Sequence, residues 1–118
     1  MSEHYTIKIG TVRDRHELPV DYYVFHGPMD PNDMFRFGTM QGLAVAEVLK
    51  IFNKEFEKHG EGKKCIIELY VTGLTIATIH VLNAIKATNQ GAEPEELQIV
   101  AMHYNRETGE YHRQMVLL

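Results

Sequence analysis

The chain has 118 residues, a formal net charge of −4 and one cysteine. That length is filled by one domain spanning 1–118, which can bury enough surface to fold without disulfides or metal. Cys65, in an apolar run, has no internal thiol to pair with and reads as a small core residue. An acidic balance argues against duplex nucleic acid as a partner, because such binders carry a basic stripe. No stretch reaches the about 18 apolar residues of a membrane span, and MSEHYTIKIG lacks a basic-then-apolar leader. A cytoplasmic protein with no membrane partner is expected.

Thr6 to Val12 alternates Ile7 and Ile9 with polar residues and reads as a strand. Arg13 to Pro19 is charged and closes on proline, so it reads as a loop, and Val20 to Phe25 as a second strand. Asp30-Pro31-Asn32-Asp33 is a helix start, with Asp30 as cap and Pro31 at the first position. Met34, Phe37, Gln41, Val45, Val48, Phe52 and Phe56 then recur at helical spacing, all apolar except Gln41, until Lys58-His59-Gly60. Gly38 and Gly42 inside that helix each cost about 1 kcal/mol. They imply either a kink or the close approach of another backbone, a second subunit included.

Lys64 to Val71 is a third strand, and Thr72-Gly73-Leu74-Thr75 a turn into a second helix carrying Leu74, Thr78, Val81, Leu82 and Ile85. That helix stops near Asn89-Gln90-Gly91. Leu97 to Tyr104 and Tyr111 to Leu117 are strands flanking the polar loop Asn105 to Glu110. The order ββαβαββ predicts an α+β fold: a largely antiparallel five-stranded sheet with two helices on one face. Ile7, Ile67, Leu69, Val81, Leu82, Ile85, Ile99 and Ala101 are its expected core.

Three segments have chemistry suited to a small anion. Thr72-Gly73-Leu74-Thr75 joins a strand to a helix N-terminus, where free N–H groups and the helix dipole favour negative charge. As an isolated motif it reads first as an ordinary cap, with Thr72 or Thr75 as the capping residue. Arg13, Arg15 and His16 follow the first strand, and arginine's planar fork fits phosphate oxygens; Asp14 and Glu17 beside them offer plain surface pairing instead. In the third segment, Tyr104, Asn105 and Arg106 enter the hairpin loop and Tyr111, Arg113 and Gln114 leave it. Arginines there suit phosphates, tyrosines a purine face, and the amides a base edge. Tyrosines packing across strands are the plain alternative. Glu68, a carboxylate inside the third strand, faces a ligand, an arginine of another strand, or solvent.

The seven histidines include no His-x-His and no pair four apart on a helix; His103 can face His112 across the hairpin. Zinc wants three or four ligands, so no metal or other cofactor is expected. No G-x-S-x-G, phosphate-loop, G-x-G-x-x-G or C-x-x-C motif occurs, and no catalytic residue is assigned.

Ile9-Gly10-Thr11-Val12-Arg13-Asp14-Arg15-His16 with Leu18-Pro19-Val20-Asp21, Leu69 to Thr75, and His103 to Tyr111 together resemble the phage Thoeris anti-defence proteins of type one. The resemblance implies a non-catalytic sponge, phage-encoded, in the cytoplasm of the infected bacterium. It would sequester cyclic ADP-ribose isomers, with cyclic oligonucleotides as further ligands, and so block immune signalling. It also implies a homo-oligomer, dimer or hexamer, with ligand between subunits. The alternatives are a ring nuclease that uses His16 or His103 as base, and an accessory protein acting through protein contacts at the Gly38/Gly42 face.

Overall fold

The computed structural model describes residues 3–13, 17–26, 31–60, 62–71, 75–89 and 96–116. The Asp30 cap, the Gln90-Gly91 stop and the last residue of the fifth strand lie outside them. Five strands, β1 (His4–Val12), β2 (Tyr22–Phe25), β3 (Lys64–Tyr70), β4 (Leu97–Asn105) and β5 (Glu110–Val116), form one sheet in the order β2-β1-β3-β4-β5. A short helix α1 (Pro31–Met34), a long helix α2 (Phe37–His59) and α3 (Thr75–Thr88) complete the described chain.

The α+β composition and chain order match the sequence reading, but the sheet is not largely antiparallel. β1 runs parallel to both β2 and β3, β3 runs parallel to β4, and only β4–β5 is antiparallel. The cause is in the connections. α2 and α3 each carry the chain back to the end where the preceding strand began, which makes the following strand parallel. The loop between β1 and β2 is also a crossover and not a hairpin: Asp21 donates to Lys8 O at 2.9 Å, and Ile9 lies beside Tyr22.

The core lies between the sheet and the two long helices. Ile7 and Ile9 of β1, Ile67 and Leu69 of β3, and Ile99 of β4 alternate onto the same face and meet Ala44, Val48, Ala77, Val81, Ala84 and Ile85. Leu82 is half-buried against this cluster, and Ala101 is buried. On the opposite sheet face Tyr70, Val100 and Met102 form a smaller cluster, covered by Leu18, Val20, Ile66 and Tyr111. The β1–β2 crossover therefore passes over one face while both long helices occupy the other. Right-handed crossovers require this, since the chain first moves to one side of β1 and then back past it to the other.

The long helix corrects the expected stripe. α1 ends in a turn in which Phe35 N–H donates to Asn32 O and Arg36 N–H to Asp33 O, and α2 restarts at Phe37. Its buried residues are Met40, Ala44, Val48, Ile51 and Glu55, whereas Phe37 and Phe56 are exposed. The apolar series used for the sequence reading straddles the edge of the true core face. Gly60, at φ +80, closes the helix and donates to Phe56 O at 2.8 Å. α2 runs unbroken through Gly38 and Gly42, and a Cβ at either would meet nothing within 4 Å. Neither a kink nor a close contact among the described residues accounts for them. No described helix is long and apolar enough to cross a membrane.

Among the described glycines, Gly10 is the one that packing requires. A Cβ there would lie 2.9 Å from two ring carbons of Tyr23 and 3.2 Å from Leu18 Cδ1. Gly10→Ala should cost about 1–3 kcal/mol by overpacking, whereas Gly42→Ala should gain up to about 1 kcal/mol from helix propensity. Thermal melts of the two variants should shift in opposite directions.

Candidate functional site at the C-terminal edge of the parallel strands

Because β1, β3 and β4 are parallel, their exits open on one edge of the sheet. Arg13 leaves β1, the segment ending at Thr75 leaves β3, and Asn105–Arg106 leaves β4. Thus the described flanks of the three segments chosen for their chemistry share one edge, although they are far apart in sequence. Arg15, His16, Thr72, Gly73 and Leu74 fall outside the described residues; their flanks, Arg13, Val71 and Thr75, stand at this edge. β1 and β3 are neighbours whose connections depart to opposite faces, one as the crossover over the Tyr70 cluster and the other as α3. In open α/β sheets such a divergence leaves a crevice at the carboxyl ends of the strands, where ligands bind. Thr75 starts a 14-residue helix, and a helix N-terminus is the end whose first-turn N–H groups and positive dipole favour an anion.

The hairpin residues divide between two faces. Tyr104, Tyr111 and Arg113 share the face of the crossover; Asn105, Gln114, His103 and His112 share the helix-side face. Tyr70 meets Tyr111 edge-on at 5.0 Å, and Tyr111 meets Tyr104 at 5.2 Å, a ladder whose last ring is 54% exposed. Burial, then the neighbouring Tyr104 and Tyr23, raises the Tyr111 pKa; burial, then the Glu68 carboxylate, raises that of Tyr70. These phenols stay neutral in ordinary buffers and offer uncharged rings to a base.

Several groups already have partners. Arg113 Nη1 donates to Glu68 Oε2, and Tyr70 Oη to Glu68 Oε1 at 3.5 Å. Glu68 thus faces an arginine of another strand, one of the three options its position allowed. Asn105 Oδ1 accepts from Glu107 N–H at 2.9 Å, and Gln114 Oε1 lies 2.8 Å from His103 Nε2. His103 stands opposite His112 as expected, and the described residues contain no cluster of three metal-ligating side chains. Arg13 and Arg106 are exposed at the edge.

Two features beside the edge escaped the sequence reading. Gln41 clamps His80 across the helices: Nε2 donates to His80 O at 2.9 Å, and Oε1 lies 3.1 Å from His80 Nδ1. His80 is buried between Phe25 and Phe37, and ties α3 to the strand end and to the start of α2. The signal was present, since Gln41 is the polar interruption in an apolar series. Phe35 and Phe37, 6.2 Å apart, are both more than half exposed on the helix side.

A second polar cluster lies far from the edge, around the C-terminal turns of α2. Glu55 is buried, its Oε2 without a hydrogen bond and 3.4 Å from His59 Nε2, and the His59 ring stacks on Tyr5 at 4.2 Å. Burial, reinforced by Cys65 and Glu55, raises the Tyr5 phenol to about 12, and burial raises the Cys65 thiol to about 11. The thiolate is the reactive form, so Cys65 is placed as a structural thiol. Both shifts favour the neutral folded form. Their contribution to stability is complete below the unfolded pKa values, near 9 and 10, and is lost as pH rises through about 11 and 12. Folded protein at pH 8 should resist alkylation by iodoacetamide and become reactive in denaturant; rapid labelling of the native state, followed by mass spectrometry, would contradict this placement. The chain matches no protein-family profile, no curated protein and no solved structure.

Proposed function

We propose that the protein binds a small phosphate-bearing nucleotide at the C-terminal edge of its parallel strands and holds it without turnover. The observation that carries this reading is that Arg13, the α3 N-terminus and Asn105–Arg106 follow the C-terminal ends of three parallel strands, β1, β3 and β4, on one edge of the sheet. Phosphate oxygens would take the helix N–H groups and the exposed guanidinium groups. The base would stack on Tyr104, the exposed end of the tyrosine ladder. Arg113, already neutralised by Glu68, orients the ladder's outer strand more than it supplies charge.

Within that class, the resemblance noted in the sequence selects cyclic ADP-ribose isomers, and the biological role becomes sequestration of an immune signal. The energetics suffice. Nanomolar capture needs roughly −12 kcal/mol. Charge-assisted hydrogen bonds give about 1.5–3 kcal/mol each, and one stacked base about 1–3 kcal/mol. A cyclic ligand keeps more of that sum because its shape is fixed before binding.

Calorimetry with cyclic ADP-ribose isomers should give a saturable isotherm that Arg106→Ala and Tyr104→Ala each weaken by about tenfold, near 1.4 kcal/mol, with unchanged melting of the free protein. Ligand recovered after denaturing the complex should be intact; an opened ring would identify a nuclease instead. Absence of binding by the parent protein would remove the reading altogether.

A further inference from the structure

Resting on the reading of the strand-exit edge as a nucleotide site, we infer that Glu68 determines its specificity. Glu68 draws the Arg113 guanidinium back from the edge and so disfavours ligands with more than two phosphates. Strand pairing sets the geometry. On the crossover face, Tyr104 and Tyr111 form the row nearest the edge. Tyr70, Met102 and Arg113 form the next row, and Glu68, Val100 and Met115 the row behind it. Arg113 Nη1 nevertheless donates to Glu68 Oε2. Its side chain therefore crosses β4, over two strand spacings or about 10 Å, and turns away from the edge as it does so. Turned the other way, it would reach the row of Tyr111 and Tyr104, where a guanidinium can stack on a ring and meet a phosphate.

The burial of the two partners decides which end of the pair is anchored. The Glu68 side chain is 12% exposed and that of Arg113 54%. A carboxylate set that deep cannot cheaply lose its cation, whereas a half-exposed guanidinium is readily solvated again. Among the described residues the other hydrogen-bond partner of Glu68 is the neutral Tyr70 Oη, at 3.5 Å. A phosphate at the edge must therefore compete with a sheltered carboxylate for Arg113. The ligand is left with Arg13, Arg106 and the α3 N-terminus, cation enough for two phosphates, while a third has to pull Arg113 free. Nucleoside triphosphates are abundant in any cell, and a site that holds a scarcer nucleotide must not fill with them. Withholding an arginine makes that distinction at the expense of the competitor.

The test is calorimetry with cyclic ADP-ribose and with ATP on the full chain and on Glu68→Gln, Arg113→Ala and the double variant. The parent should bind cyclic ADP-ribose at least about tenfold tighter than ATP; equal affinities overturn the proposal, whether or not any variant folds. Glu68→Gln keeps the side-chain shape and an acceptor for Tyr70 but removes the charge that holds Arg113. It should bind ATP about tenfold tighter than the parent, the worth of one charge-assisted contact, with a steeper loss of affinity as salt rises. On the Arg113→Ala background the same substitution should gain nothing for ATP. An equal gain there would trace the effect to lost negative charge and not to a released arginine, and overturns the proposal. So does an unchanged ATP affinity in Glu68→Gln that is folded by circular dichroism. If the parent binds neither nucleotide, the reading of the edge falls and the role of Glu68 with it; if cyclic ADP-ribose binds and the ATP contrast is absent, the role of Glu68 falls alone.

Discussion

The arrangement at the edge depends on β1 having parallel neighbours on both sides. With β2 on one side and β3 on the other, all pointing the same way, the chain must leave the sheet, return to its starting end, and do so over opposite faces in the two directions. That constraint sends the β1–β2 crossover across the Tyr70 face and the helices across the Ile67 face. Gly10 makes the first crossover possible: with Tyr23 within van der Waals range of where a side chain would begin, Leu18 can settle on the sheet and donate its N–H to Tyr23 Oη at 2.9 Å. A larger residue would push Leu18 and Tyr23, and with them the crossover, away from the sheet.

The elements were legible in the sequence, and their pairing was not. Strand and helix positions follow from local periodicity, which is why Ile7, Ile67, Leu69, Val81, Ile85 and Ile99 are core residues as read. Parallel pairing is a non-local property, yet it left a trace. Ile99-Val100-Ala101-Met102 is an unbroken apolar run, buried from both faces, and such runs mark parallel sheets more than the alternating pattern of hairpins. The stretch Lys64 to Asn105 also reads strand, helix, strand, which is a crossover unit. The candidate segments were chosen for residue type alone. That they share an edge follows from strand direction, so the error about direction hid the strongest argument for them.

Charge placement bears on whether an acidic chain could hold an anion, as proposed above. The carboxylate most deeply set in the sheet, Glu68, is committed to Arg113 and Tyr70, so it projects little net field toward the edge. Glu55, the buried carboxylate among the described residues, sits around the last turns of α2 beside His59. The exits of β1 and β4 meanwhile carry Arg13 and Arg106. Net charge alone does not show how charges of either sign are distributed over the surface, and Glu107 and Glu110 share the hairpin with Arg106.

The mixed sheet also sets the order in which the molecule can assemble. In the β4–β5 hairpin Asn105 faces Glu110, five positions on, whereas His4 faces Lys64, sixty positions on. Closing the larger loop costs about 2 kcal/mol more in chain entropy, and nothing repays it until the helices have begun to cover the sheet. The hairpin and α3 are thus the natural early structure, and β1 enters last, threading between β2 and an already formed β3–β4–β5 unit. The β1–β3 junction would then be the final piece of the architecture to form, and contacts made only there would slow unfolding more than they speed refolding.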